Sequence, residues 1–271
     1  MREDQLEAFF HREDATLMAD AAWLDAHRAL LKALESGSVR SAFRDEAGTW
    51  RANAWVKRAI LIGFRRTRLE AIAGSGGRYF DKPAYPVREF DLDDQVRLVP
   101  GGSAVRRGAY VAPGVVVMPP AYINVGAYVD AGTMVDSHAL VGSCAQIGRD
   151  VHLSASAQIG GVLEPAHQSP VIIEDGAFVG GLCGVFEGVV VRERAVLAAG
   201  VVLTAATTIF DLVHGCERRG EIPPGAVVVP GSRPARGDYA TSLGLQLAAP
   251  MIVKYRDERT NAATALEGAL R

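Results

Sequence analysis

A carboxylate and an imidazole two residues apart, Asp136 and His138, are the side chains of this sequence best suited to acid–base chemistry. An imidazole titrates near neutrality, so His138 could serve as a general base. A lone histidine at a turn is also a common hydrogen-bonded surface residue, and a carboxylate can be no more than a solvated corner group. Asp130 is read that way. Metal chemistry is not expected. Of the six histidines (His11, His27, His138, His152, His167 and His214), only His138 and His152 fall inside the repeat described below, and neither has the close histidine partners of a catalytic three-histidine site. Cys144, Cys183 and Cys216 form no Cys-x-x-Cys pair, which argues against a disulfide scaffold or structural zinc and for a reducing cytoplasm. Cys144 lies in the repeat and Cys183 in an apolar run, so neither reads as a nucleophile.

The elements that must position Asp136 are unusual. From Val105 a branched aliphatic residue recurs every six positions: Val105, Val111, Val117, Ile123, Val129, Val135, Val141, Ile147, Leu153 and Ile159. The register slips by two residues within 160–170 and resumes at Ile173, Val179, Val185, Val191, Leu197, Leu203 and Ile209. Val227 is again in phase, so 210–221 reads as a loop pushed out of the ladder. Four residues after many ladder positions stands an alanine, as at Ala109, Ala127, Ala145 and Ala195. A period of six fits neither a helix nor a long strand. It fits a three-sided parallel β-helix, in which each ladder residue points inward and stacks on its counterpart eighteen residues away. A Val- and Gly-rich β-sandwich is the alternative, and so sustained a phase disfavours it. Because Asp136 directly follows inward-pointing Val135, its side chain is expected to face outward, where a neighbouring chain could complete a groove.

The flanks have a different texture. Residues 20–34 place apolar side chains three and four apart, as an amphipathic helix does, and stop at Ser36-Gly37-Ser38. Residues 54–64 read as a second helix with Arg65, Arg66 and Arg68 at its end, and 39–50 as a small hairpin between them. Residues 248–256 read as a strand and 260–271 as a terminal helix. The expected organisation is mainly β: an α-rich N-terminal domain over 1–97, a β-helix over 98–231 with the extruded loop, and a small C-terminal cap over 232–271.

The chain has 271 residues, of which 49% are apolar, with 29 basic and 31 acidic side chains. That balance provides no field for nucleic acid or an anionic membrane. The charged N-terminus lacks the apolar run of a signal peptide. The uncharged stretch 109–129 contains Pro113, Gly114, Pro119, Pro120 and Asn124, which no lipid-exposed helix would collect. A soluble cytoplasmic protein is expected.

Hexapeptide solenoids resemble the acyltransferases that use coenzyme A or acyl carrier protein, which are left-handed and usually trimeric; a non-catalytic binding solenoid is the alternative from another class. The segments Gly126-Ala-Tyr-Val-Asp-Ala-Gly-Thr-Met-Val-Asp136, Val141-Gly-Ser-Cys-Ala-Gln-Ile-Gly148, Val151-His-Leu-Ser154 and Gly160-Gly-Val-Leu-Glu-Pro165 are more specific. Together with Trp50, Lys57–Arg65, Arg78–Lys82, Val227–Ser232 and Ile252–Lys254, they resemble the tetrahydrodipicolinate N-succinyltransferase family over nearly the whole chain.

The resemblance implies a homotrimer that acylates the amine of a cyclic dicarboxylate, with succinyl-CoA as cosubstrate and no permanently bound cofactor. It implies Arg97, Asp136 and Glu164 at the substrate and Asp136 in catalysis; His138 is a catalytic candidate on its imidazole chemistry alone. Arginine suits a dicarboxylate because its fork grips a carboxylate through two bonds. The CoA arm would pass Ala198, Gly200, Ala205 and Ala206, and its phosphates would meet Ser232, Arg233, Arg236 and Lys254. The loop 210–221, with Arg218 and Arg219, is expected as a flexible lid over a neighbour's site. Two departures stand out. His138 replaces a tryptophan of relatives, and Leu182 and Gly184 stand where enterobacterial-type members carry Arg and Glu. Without that Arg, acetyl-CoA becomes the competing donor, and a specialised branch becomes an alternative pathway.

Overall fold

The computed structural model describes residues 1–74 and 77–257. The expected helix at 260–271 lies outside them. The period of six does build a left-handed parallel β-helix with three faces. The first face begins at Ala104–Val105, the second at Tyr110–Val111 and the third at Val116–Val117. One rung earlier on the third face, Arg97–Leu98 pairs in parallel with Val116–Val117. The second residue of each two-residue strand points inward, so Val117, Val135, Leu153, Val179 and Leu197 form one buried column. The corner alanines Ala109, Ala127, Ala145 and Ala195 are buried as well, because the prism is too narrow there for anything larger. Each full burial of a Val or Ile contributes about 1.5–3 kcal/mol, repeated along three columns.

Two corners interrupt the ladder, and both differ from the simple phase reading. Between Ile159 on the first face and Ile173 on the second, the connection runs through a bulging corner rather than a slipped strand. Gly142 permits this: a Cβ there would collide with the backbone of Gly161. The second interruption follows Leu203. The second face resumes at Glu221–Ile222, and Val228, not Val227, stacks opposite Leu197. Val227 packs outside the prism against Val196. Ile209 closes the core from a hairpin, Ile209–Asp211 with Cys216–Arg218, which also pairs with the tail strand Met251–Tyr255.

The N-terminal domain contains α1 (Glu3–Phe10), α2 (Asp14–Ala19), α3 (Trp23–Glu35) and α4 (Ala54–Arg66). A hairpin, Ala42–Arg44 with Trp50–Ala52, joins α3 to α4. A second hairpin, Glu70–Gly74 with Gly77–Asp81, replaces helix late in the domain. The domain seats on the corner between the first and second faces. Gly126 adopts a φ of 75°, and a Cβ there would lie 2.9 Å from both Cys144 Sγ and Ser41 Oγ. Lys57, fully buried in α4, donates to the carbonyls of Gln168 (2.6 Å) and Pro165 (3.3 Å), tying the bulging corner down.

Candidate active site

Asp136 occupies the corner between the third and first faces. Its Oδ1 accepts the Ser137 amide at 2.7 Å, and its side chain is 30% exposed, facing outward as expected. The group beside its other oxygen is His152, whose Nε2 lies 3.9 Å from Oδ2. Strand pairing places it there: His152 stands opposite Met134, one rung on, and its ring packs 5.3 Å from Phe178. From the sequence His152 stands out only as a possible metal ligand. The signal was its spacing, eighteen residues after Met134, which puts it on the rung above a strand ending beside Asp136. His138 is exposed on a left-handed backbone, φ 62°, and what fixes it is main chain: its amide donates to Pro120 and its carbonyl accepts from Gln158.

Arg97 lies on the outward row of the third face, two rungs below Met134, or about 10 Å at the usual strand spacing. Among the described residues no carboxylate pairs with it. Glu164 sits elsewhere, on the bulging corner after the first face, where with Gly160, Gly161, Phe186 and Glu187 it lines a hollow of 390 Å3. One chain therefore gathers Arg97, Asp136 and His152 along one edge and leaves Glu164 at the far end of the first face. Asp130 is not a solvated corner group: its side chain is 17% exposed, 3.5 Å from Arg149.

The expected CoA residues also divide. Arg233 and Arg236 converge with Arg219 on a hollow of 520 Å3 between the extruded hairpin and the cap. Among the described residues none of the three has an ion-pair partner. Ala205 and Ala206 are exposed on the corner leading into that hairpin, Ala205 bonded to Glu187 at 3.2 Å, and Ser232 starts the cap strand that carries Arg233. Ala198 is buried and Gly200 exposed on the Asp136 corner, higher up the prism. Lys254 pairs with Val227 on the third face and does not line the arginine hollow.

The hairpin itself is fastened rather than free. Asp211, whose carboxylate is fully buried, accepts from Tyr255 Oη (2.6 Å), His214 Nδ1 (2.9 Å) and Arg218 Nε (2.9 Å). Burial alone would raise its pKa, but these donors outweigh it and hold the carboxyl well below its ordinary range. Burial and the adjacent carboxylate push the Tyr255 phenol up to about 12. The flexible lid expected here is a latched hairpin, because a buried carboxylate at its base takes donors from both its own strands and the tail.

Both ladder cysteines are buried, and burial pushes each thiol up to about 11, so almost no thiolate exists near neutrality. Cys183→Ala is expected to keep turnover within about threefold, since removing a small buried group costs stability more than chemistry. Intact mass spectrometry after incubation with acyl-CoA should find no acylated protein; a stable acyl-Cys183 adduct would contradict this.

A family profile described as "Tetrahydrodipicolinate N-succinyltransferase N-terminal" matches residues 2–66, and "Hexapeptide repeat of succinyl-transferase" matches 170–205. A 2,3,4,5-tetrahydropyridine-2,6-dicarboxylate N-succinyltransferase of Nitrobacter winogradskyi is 44% identical over 97% of this chain and 95% of its own length. The chain belongs to the tetrahydrodipicolinate N-succinyltransferase family. A namesake from Sinorhizobium fredii is 46% identical over 97% of this chain and 94% of its own. The solved structure of a Campylobacter jejuni protein, assigned as a 2,3,4,5-tetrahydropyridine-2-carboxylate N-succinyltransferase, superposes with a TM-score of 0.56 at 16% identity. That match covers 83% of this chain and 62% of that one, and bears on the fold alone.

Leu182 and Gly184, expected from the sequence to depart from relatives, differ in their surroundings. Leu182 is 71% exposed at the Asp136 corner and carries no charge. Gly184 is buried under Phe186: a Cβ there would come within 2.5 Å of the ring. A side chain at 184 would therefore need the Phe186 ring to move.

Proposed function

We propose that this protein transfers the succinyl group of succinyl-CoA to the amine of tetrahydrodipicolinate, in the lysine and diaminopimelate pathway. The observation that carries this reading is identity of 44–46% running through the helical domain, the β-helix and the cap to curated N-succinyltransferases of nearly equal length. The amine of the ring-opened substrate attacks the thioester carbonyl, forming an N–C bond and breaking the C–S bond. The amine loses a proton to Asp136, and the departing CoA sulfur ends as a thiol. Arg97 receives a substrate carboxylate in bidentate fashion. Arg219, Arg233 and Arg236 offer unpaired cations to the CoA phosphates. No permanent cofactor is required.

Glu164 lies too far along the first face to share a hollow with Asp136 in one chain, so the reading includes a homotrimer in which a second chain completes each groove. The expected compartment is the cytoplasm. Among the described residues no helix is long and apolar enough to cross a membrane. A second reading, acetyl-CoA as donor, is favoured by the neutral, exposed Leu182. A thiol-release assay with tetrahydrodipicolinate and each donor separates the two. Faster release from succinyl-CoA is expected; faster release from acetyl-CoA reverses the donor, and none from either removes the assignment.

A further inference from the structure

A cavity of 790 Å3 lies away from the Asp136 corner, between the N-terminal domain and the second face. Its most unusual wall residue is Arg40. The guanidinium carbon lies over the Tyr128 ring, 3.6 Å from its centroid, and 5.5 Å from the centroid of the Trp50 ring. Only Nε is engaged, donating to Gln146 Oε1 at 3.0 Å. The other two guanidinium nitrogens have no partner among the described residues, and no carboxylate comes within ion-pair distance. A half-buried, ring-stacked arginine with its fork free is the arrangement that receives a carboxylate. The neighbouring cation, Arg44, is by contrast consumed by Glu174 at 2.8 Å, which also accepts Trp50 Nε1 and Arg192.

The remaining wall decides what else the occupant carries. Of the five carboxylates that line the cavity, Glu174 is shared by Arg44 and Arg192 and Asp130 lies 3.5 Å from Arg149, while Glu3 and Asp175 have no ion-pair partner among the described residues. A simple anion would face those two unpaired carboxylates, and a simple cation would leave the Arg40 fork empty. We infer that the cavity is a binding site for a basic α-amino acid, its carboxylate forked on Arg40 and its ammonium groups toward the acidic wall. Burial disfavours the charge on Arg40, and a bound carboxylate would relieve that cost. The site is separate from the acyl-transfer groups, so its occupancy is independent of the donor and acceptor used there.

Trp50 and Trp55 line the cavity, so tryptophan fluorescence reports its occupancy. Purified full-length protein is titrated with L-lysine, L-lysine methyl ester and 1,5-diaminopentane, with calorimetry as the second readout. L-lysine is expected to bind saturably, and both analogues lacking the carboxylate about tenfold or more weaker, the usual scale for a lost charge-assisted bond. Arg40→Met is expected to lose L-lysine binding by a similar factor while acyl transfer stays at the wild-type rate. Because that variant could loosen the domain, the methyl ester comparison on wild-type protein stands alone as a test. No saturable L-lysine binding below about 10 mM, a weak-binding limit of roughly 3 kcal/mol, or equal binding of the ester or the diamine, overturns the proposal.

Discussion

Asp136→Asn is expected to lower kcat for acyl transfer by roughly a hundredfold or more, the usual worth of a general base. The substitution is close to isosteric. The amide oxygen can still accept the Ser137 N–H that now binds Oδ1 at 2.7 Å, so the corner should hold its shape. What disappears is the oxygen facing His152, the one able to take a proton from the attacking amine. Binding of acyl-CoA should change little, since the arginines at the cap are untouched. Steady-state kinetics with a circular dichroism melt on the same preparation checks both halves. Turnover within a few-fold of wild type, with the melt unchanged, would remove Asp136 from the chemistry and turn attention to His138 or His152.

Asp211→Ala is expected to cost about 3–5 kcal/mol locally, the scale for breaking a buried charge network by removing one member. The carboxylate is fully buried and collects a phenol, an imidazole, a guanidinium and two backbone amides. Without it, Tyr255, His214 and Arg218 lose their shared acceptor, and the hairpin comes off the tail strand. Hydrogen exchange should show the amides of 209–218 losing protection first. Because the hairpin carries Arg219 into the arginine hollow, KM for the CoA donor should rise while kcat changes less. Unchanged exchange over those residues would mean that strand pairing alone holds the hairpin.

The pH dependence of the same latch follows from its sign. The folded carboxyl is held below the unfolded value of 3.8, so its contribution is fully present above that value. It is lost as pH falls from there toward the depressed folded value. The latch is thus at full strength near neutrality and fails only in strong acid.

How much of this was legible beforehand differs from place to place. The outward Asp136 was readable because in a ladder of two-residue strands the residue after an inward valine must turn away from the core. Its neighbour was not read, though the spacing contained it: His152 touches Asp136 only because the coil returns one rung higher after eighteen residues. The latched hairpin was hidden for a different reason. Asp211, His214 and Arg218 are close in sequence, but Tyr255 arrives from a strand forty-four residues on. The phase error at Val227 arose because residues leaving a ladder need not return in whole repeats.

Periodicity therefore sufficed for the prism, since one stereochemical rule, inward aliphatics at every sixth position, is repeated until no other packing satisfies it. Local spacing likewise sufficed for α3, α4 and the first hairpin. Which groups meet at the edges was decided in three dimensions: the stacking of rungs brought His152 to Asp136, and the seating of the N-terminal domain left the Arg40 fork open in a cavity. Such meetings join residues from separate coils and domains, and side-chain distance across a fold is not a property that nearest neighbours in a chain encode.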